Sequence, residues 1–150
     1  MNSKAEKYNK FLDENEIRCF QFVDTGDQMN SVVYQSVMDI NGNNLPVMLV
    51  IDDSIFVMLH VRLANSVVND GNKAALLDYL NALNEQYKVF KYYVNNGGDI
   101  IIESCLPCSP DSFEPQMIHL VVDVIIKHLQ EEYSKIMKLV WMPDMIKDKE

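Results

Sequence analysis

The sequence predicts an α+β fold with the element order α-β-β-β-β-α-β-β-α and an antiparallel sheet. Three observations carry the prediction. Apolar residues recur at a period near 3.6 in some segments and near 2 in others. Asn-Gly turn chemistry separates strand-like segments at Asn41-Gly42-Asn43-Asn44 and at Asn95-Asn96-Gly97-Gly98. Strands and helices do not alternate one by one, as a parallel βαβ sheet would require.

Ala5, Tyr8, Phe11 and Leu12 recur at helical spacing until Asp13-Glu14-Asn15-Glu16 breaks the stripe, which predicts a short first helix. Residues 18–23 alternate about Phe20 and Phe22, and residues 32–40 place Val32, Tyr34, Met38 and Ile40 on one face, so both read as strands. The turn at Asn41-Gly42-Asn43-Asn44 returns the chain into residues 45–51, with Pro46 acceptable at the start of that strand. Asp52-Asp53-Ser54 turns into Ile55, Val57, Leu59, Val61 and Leu63, all on one face. Four strands in sequence make a meander.

After Asn69-Asp70-Gly71 the period changes. At roughly 100° per residue, Leu76, Leu77, Leu80 and Leu83 share a stripe and Lys73, Asp78, Asn81 and Asn84 lie mostly outside it, giving a second helix over residues 73–84. Residues 88–94 and 99–106 form a hairpin about the second Asn/Gly turn, and Pro107 stops it. Ser109-Pro110-Asp111-Ser112 punctuates the chain before a long helix over residues 113–137, capped by Ser112 or Glu114 with Pro115 in its first turn.

Ile118, Val121, Val122, Ile125, Ile126, Leu129, Tyr133 and Ile136 form the core stripe of that helix, and its polar face holds His119, Asp123, Lys127, Gln130 and Ser134. Met117, Leu120 and Val124 add an apolar ridge that needs a cover, which the first helix can supply through Tyr8, Phe11 and Leu12. One domain over residues 1–137 follows. Residues 138–150 read as a C-terminal tail, with Trp141, Met142 and Met145 packing on the body and residues 147–150 in solvent.

With 150 residues, 48% of them hydrophobic, the chain can bury a core without disulfides or metal. Thirteen Lys plus Arg against 22 Asp plus Glu give a net charge of −9, and the only arginines are Arg18 and Arg62. Nucleic acids and acidic membranes need clustered cations and drop out as partners. No apolar run approaches the roughly 18 residues of a membrane span, no apolar segment follows the first residues, and three cysteines make no disulfide framework. A cytoplasmic protein is expected.

Phe22-Val23-Asp24-Thr25-Gly26 has the look of an aspartic-protease triplet, in which two Asp residues share a proton. Such enzymes also need a later apolar-apolar-Gly brace, which this chain lacks, so Asp24 reads as a strand-end turn. Cys105-Leu106-Pro107-Cys108 is a CxxC motif, but the helix begins too late for its dipole to activate either thiol. The simpler reading is a buried strand-end Cys105 and a loop Cys108. His119 and His128, nine residues apart on one helix, point in nearly opposite directions and close no metal site, and His60 alternates out to the second sheet face. No phosphate-binding glycine motif is present, so no cofactor is expected. Asp52-Asp53 reads as a turn and Glu131-Glu132 as a solvated helix face. The nine methionines read mainly as core filler.

The element order, the hairpin from Val94-Asn95-Asn96-Gly97-Gly98 into Asp99-Ile100-Ile101-Ile102, the Leu106-Pro107 exit and the long helix reaching Glu132-Tyr133 resemble the bacterial YbjN-like family. That family is grouped structurally with the type III secretion chaperones. The resemblance spans about residues 4–137 and implies a small acidic α+β protein without enzymatic activity, often a homodimer. The secretion chaperones hold an extended segment of a partner protein. The CxxC motif is a hallmark of neither group.

The expected function is therefore a noncatalytic protein-binding module, chaperone-like or regulatory, which offers sheet edges and apolar patches to an extended segment of another protein. The alternative is a small thiol-redox protein using Cys105 and Cys108. Resemblance to the secretion chaperones further implies a two-fold contact through the second helix and the following strand, here Leu76, Tyr79, Leu80, Leu83, Phe90 and Tyr92.

Overall fold

A computed structural model describes residues 1–141. It is α+β, with three helices and one six-stranded antiparallel sheet. In chain order the elements are α1 (Ser3–Glu14), β1 (Gln21–Asp24), β2 (Val32–Ile40), β3 (Asn43–Ile51), β4 (Phe56–Ala64), α2 (Lys73–Gln86), β5 (Lys91–Val94), β6 (Ile100–Pro107) and α3 (Gln116–Trp141). The strands lie in the order β1-β2-β3-β4-β6-β5.

Strand composition explains that order. Ile100, Ile101 and Ile102 of β6 are all buried, which suits a strand flanked on both sides, whereas β5 alternates between exposed Lys91 and Tyr93 and buried Tyr92. The hairpin therefore inserts its second strand against β4 and leaves β5 at the edge. β3 starts at Asn43, so Pro46 sits within it rather than at its start. Pro46 is paired with Val37 on the β2 side, and the ladder to β4 begins only at Val47 and Val61. A residue with no N–H to donate thus stands just beyond the last rung to β4.

All three helices cover one face of the sheet. That face supplies Val32, Tyr34, Leu49, Ile51, Val57, Leu59, Ile100 and Ile102 to the core, and α3 meets it with Ile118, Val121, Ile125, Leu129 and Ile136. Complete burial of one such aliphatic side chain stabilises the fold by about 1.5–3 kcal/mol. α1 is pinned at its start: the buried Lys4 ammonium donates to the carbonyls of Ser54 (2.6 Å) and Phe56 (3.0 Å). Asn2 caps the Ala5 N–H and donates to the carbonyls of Asn30 and Ile51.

Several expectations need correction. β1 is shorter than residues 18–23 and leaves Phe20 outside, while Ile55 is an exposed turn residue rather than part of the β4 face. α3 begins at Gln116, because Ser109 and Ser112 form a hydrogen-bonded turn that holds Phe113 ahead of it. The helix also continues past residue 137: Leu139 and Val140 are buried, and the Val140 carbonyl accepts from Asn72 Nδ2 at 3.1 Å. Trp141 ends the helix 68% exposed instead of packing down. Met142, Met145 and residues 147–150 lie outside the described residues.

The ridge on α3 is not covered by α1; Met117, Leu120 and Val124 stay exposed. α1 packs on His119 instead, whose ring stacks on Tyr8 and whose Nε2 lies 3.1 Å from the Tyr8 hydroxyl. His119 is thus half-buried rather than on the polar face, and burial lowers its pKa.

Candidate functional site

Among the described residues, the second face of the sheet has no covering layer. Cross-strand pairing puts Val23, Val33, Val50, Met58 and Cys105 in one row on it, because directly paired residues share a face. A neighbouring row runs through Gln35, Met48, His60 and Glu103. Next to it a hollow of about 600 Å³ is lined by Pro46, Met48, His60, Arg62, Tyr93 and Ile101, among others. His60 Nδ1 is 3.4 Å from Glu103 Oε2, and Arg62 Nη2 is 3.8 Å from Asp99 Oδ2. Asp99 is held below the usual carboxylate range, chiefly by the Asn95 amide and then by the Ser66 N–H and Arg62.

The two edges of the sheet differ. At β5 the side chain of Asn84 takes both backbone groups of Tyr92: the Tyr92 N–H donates to Asn84 Oδ1 at 2.7 Å, and Asn84 Nδ2 donates to the Tyr92 carbonyl at 3.2 Å. Lys91, itself on the edge, donates to the carbonyls of Asn84 and Tyr87. That edge is covered in a way that discourages further pairing.

At β1 no such cover is present among the described residues. Thr25 N–H donates to the Ser31 carbonyl at 2.9 Å, next in register after Asp24 and Val32. The two-residue period of an antiparallel ladder then directs Val23 and Gln21 to β2 and turns the N–H and C=O of Phe22 and Asp24 outward. Phe22 is 48% and Val23 64% exposed, one on each face of the sheet. Before the strand stand Asp13, Glu14 and Glu16 and after it Asp27; Arg18 pairs with Asp13 at 3.3 Å, Lys10 with Glu14 at 3.8 Å, and the Met1 amino group with Asp24, the last strand residue, at 3.6 Å.

No family model matches the chain, and no curated protein does.

The residues expected at a two-fold contact do not form an exposed patch. Leu76, Leu80, Leu83, Phe90 and Tyr92 are buried in the chain's own core. Tyr79 is half-buried, and its hydroxyl donates to Glu132 Oε2 at 2.5 Å, which also turns Glu132 inward from the solvated face expected of it. The apolar stripe of α2 packs against α3 and the sheet within the chain.

The thiols are separated by the sheet. Cys105 is exposed on the open face, not buried, while Cys108 is half-buried on the helical side beside Phe113 and Ile118. Burial pushes the Cys108 thiol up, although Lys4 and Lys7 oppose the shift. Asp24 ends β1, with its Oδ1 accepting from the Gly26 N–H at 3.3 Å. His60 lies on the second sheet face as expected. His128 is only 3% exposed, caged by Tyr87, Phe90 and Tyr92.

Sequence reasoning singled out neither the open face nor the contrast between the two edges. A signal was present: β2, β3 and β4 carry Val33, Val37, Met48, Val50 and Met58 at positions where a solvated face would alternate to polar residues. No helix among the described residues is long and apolar enough to cross a membrane.

Proposed function

We propose that the chain is a noncatalytic protein-binding module, chaperone-like or regulatory, that holds an extended segment of another protein as an added strand against β1. The observation that supports this reading is the contrast between the edges: β5 is closed by Asn84, and β1 presents the outward backbone groups of Phe22 and Asp24 between two exposed apolar side chains. An added strand gains main-chain hydrogen bonds there, and its alternate side chains meet Phe22 on one face and Val23 on the other. Glu16 before β1 and Asp27 after it suit a segment that is apolar at its centre and basic at its ends. The resemblance to YbjN-like proteins and secretion chaperones points the same way. The thiol-redox alternative is weaker, because Cys105 and Cys108 face opposite sides and the Cys108 thiol is raised rather than activated.

Selection from a random peptide library on the immobilised protein tests the proposal. Peptides with an alternating apolar centre are expected, and Asp24→Pro, which deletes an outward N–H while keeping the ladder to β2, weakens them about tenfold or more. Asp24→Asn leaves them unchanged. Equal binding to the proline variant contradicts the proposal.

A further inference from the structure

We propose that the hollow on the open face is a binding site for a small organic cation, an amidinium or amine carried on a flat apolar body. The hollow centres on β4 and β6, and β4 lies three strands from β1 in the sheet, so the site is separate from the edge assigned to strand addition. Its volume of about 600 Å³ falls within the ~300–1,000 Å³ that holds a small ligand. Ile101 lines it while only 6% exposed and so forms its floor, and Pro46 and Met48 add apolar surface beside it.

Charge selects the ligand. Arg62 lines the hollow, but its guanidinium is turned to Asp99 at 3.8 Å. The Lys91 ammonium is held by the carbonyls of Asn84 and Tyr87. Glu103 has no lysine or arginine of its own: its carboxylate, 32% exposed, lies 3.4 Å from His60 Nδ1, and an imidazole neutralises it only when protonated. One carboxylate therefore stands uncompensated beside the hollow, in a chain whose net charge is −9. Such a field draws a cation in and repels an anion.

Strand register places Glu103 for this role. It stands two residues from Ile101 on the same face of β6, opposite His60 on β4 and Lys91 on β5. Tyr93, 40% exposed, is paired with Ile101. After burial, Glu103 is what raises the Tyr93 pKa, so the carboxylate and the phenol share one corner of the hollow. An amidinium offers that carboxylate two parallel N–H donors, and the Tyr93 ring beside it attracts a cation through its π face. The apolar body of the ligand then covers Ile101 and Met48 and removes them from water.

Titration of the isotope-labelled full chain with benzamidine, benzamide and benzoate, followed by two-dimensional NMR, tests the proposal, because the three probes share a shape and differ in charge. Benzamidine is expected to bind saturably in the millimolar range and to shift the amide signals of His60, Tyr93, Ile101 and Glu103. Benzamide should bind about fivefold more weakly, and benzoate more weakly still. Glu103→Gln, which keeps the side-chain shape, lowers benzamidine binding to the level of benzamide. Glu131→Gln, the same change of charge at an exposed position on α3, leaves it unaltered, and circular dichroism checks that both variants fold. Absence of saturable benzamidine binding, equal binding of the three probes, or an equal effect of the two substitutions overturns the proposal. So does a peptide with one central arginine that binds more tightly than benzamidine, since the hollow would then be part of a protein interface.

Discussion

Asn84 closes one edge of the sheet through Tyr92: the Tyr92 N–H reaches Asn84 Oδ1 at 2.7 Å, and Asn84 Nδ2 reaches the Tyr92 carbonyl at 3.2 Å. One side chain thereby imitates a neighbouring strand for one residue pair. Asn84→Ala removes both bonds at a half-buried position and is expected to cost about 1–3 kcal/mol in denaturant unfolding. It also frees a second edge, so the stoichiometry of peptide binding rises from one to two per chain, or the protein aggregates more readily on warming. Unchanged stability and stoichiometry together would contradict this role for Asn84.

His128 makes folding stability depend on pH. Its Nε2 lies 2.6 Å from the Tyr92 hydroxyl, and its buried Nδ1 has no hydrogen-bond partner among the described residues. Burial lowers its pKa below the unfolded value of about 6.5, with Glu132 and Glu131 partly opposing. The unfolded chain therefore takes up the proton more readily, and stability present above about pH 6.5 is lost progressively below it. His119, also lowered by burial, acts in the same direction. Replacing both partners, His128→Phe with Tyr92→Phe, removes the orphaned nitrogen and the hydroxyl it faces together. The double variant should show a shallower fall in urea midpoint between about pH 7.5 and about pH 5 than the wild type. An equal or steeper fall is the adverse result.

Gly98 is the glycine whose replacement the fold resists most. Its φ is +79°, a Cβ there would stand 2.8 Å from the Val68 carbonyl oxygen, and its own carbonyl accepts from the N–H groups of Val67 and Val68 at 3.0 Å each. Gly98→Ala is expected to cost roughly 1–3 kcal/mol, through left-handed strain and displacement of the 66–68 loop. Its neighbour Gly97, whose added Cβ would come no closer than 3.4 Å to the Asn95 side chain, tolerates Ala within about 0.5 kcal/mol. Thermal melts of the two variants compare them directly.

The thiols should behave as unlike neighbours. Iodoacetamide at neutral pH is expected to label exposed Cys105 faster than Cys108, and changing both to Ser should cost at most about 2 kcal/mol and leave peptide binding intact. Preferential labelling of Cys108, or loss of binding in the double variant, would revive the redox reading.

The nine described elements and their order were legible in the sequence because all but β1 have a clear apolar period and the two hairpin turns carry Asn and Gly at positive φ, at Asn41, Gly42 and Gly98. Periodicity does not say which body an apolar stripe faces. Leu76, Leu80 and Leu83 therefore fitted a subunit contact as well as a core until the sheet and α3 were placed beside them. The insertion of β6 between β4 and β5, which makes β5 an edge, depends on pairings across some forty residues. Nor does local pattern reveal that α1 turns to His119 and leaves Leu120 55% exposed. The contrast between the sheet edges depends on one long-range side-chain placement, that of Asn84, and on the backbone parity of β1.

Amide hydrogen exchange, followed residue by residue with and without a library-selected peptide, tests strand addition at β1 most directly. Strong added protection is expected at the Phe22 and Asp24 N–H groups, which face outward, and little change at Gln21 and Val23, which are already bonded to β2. A peptide that binds while the amides of Phe22 and Asp24 exchange as fast as before, or that protects β5 instead, would contradict it.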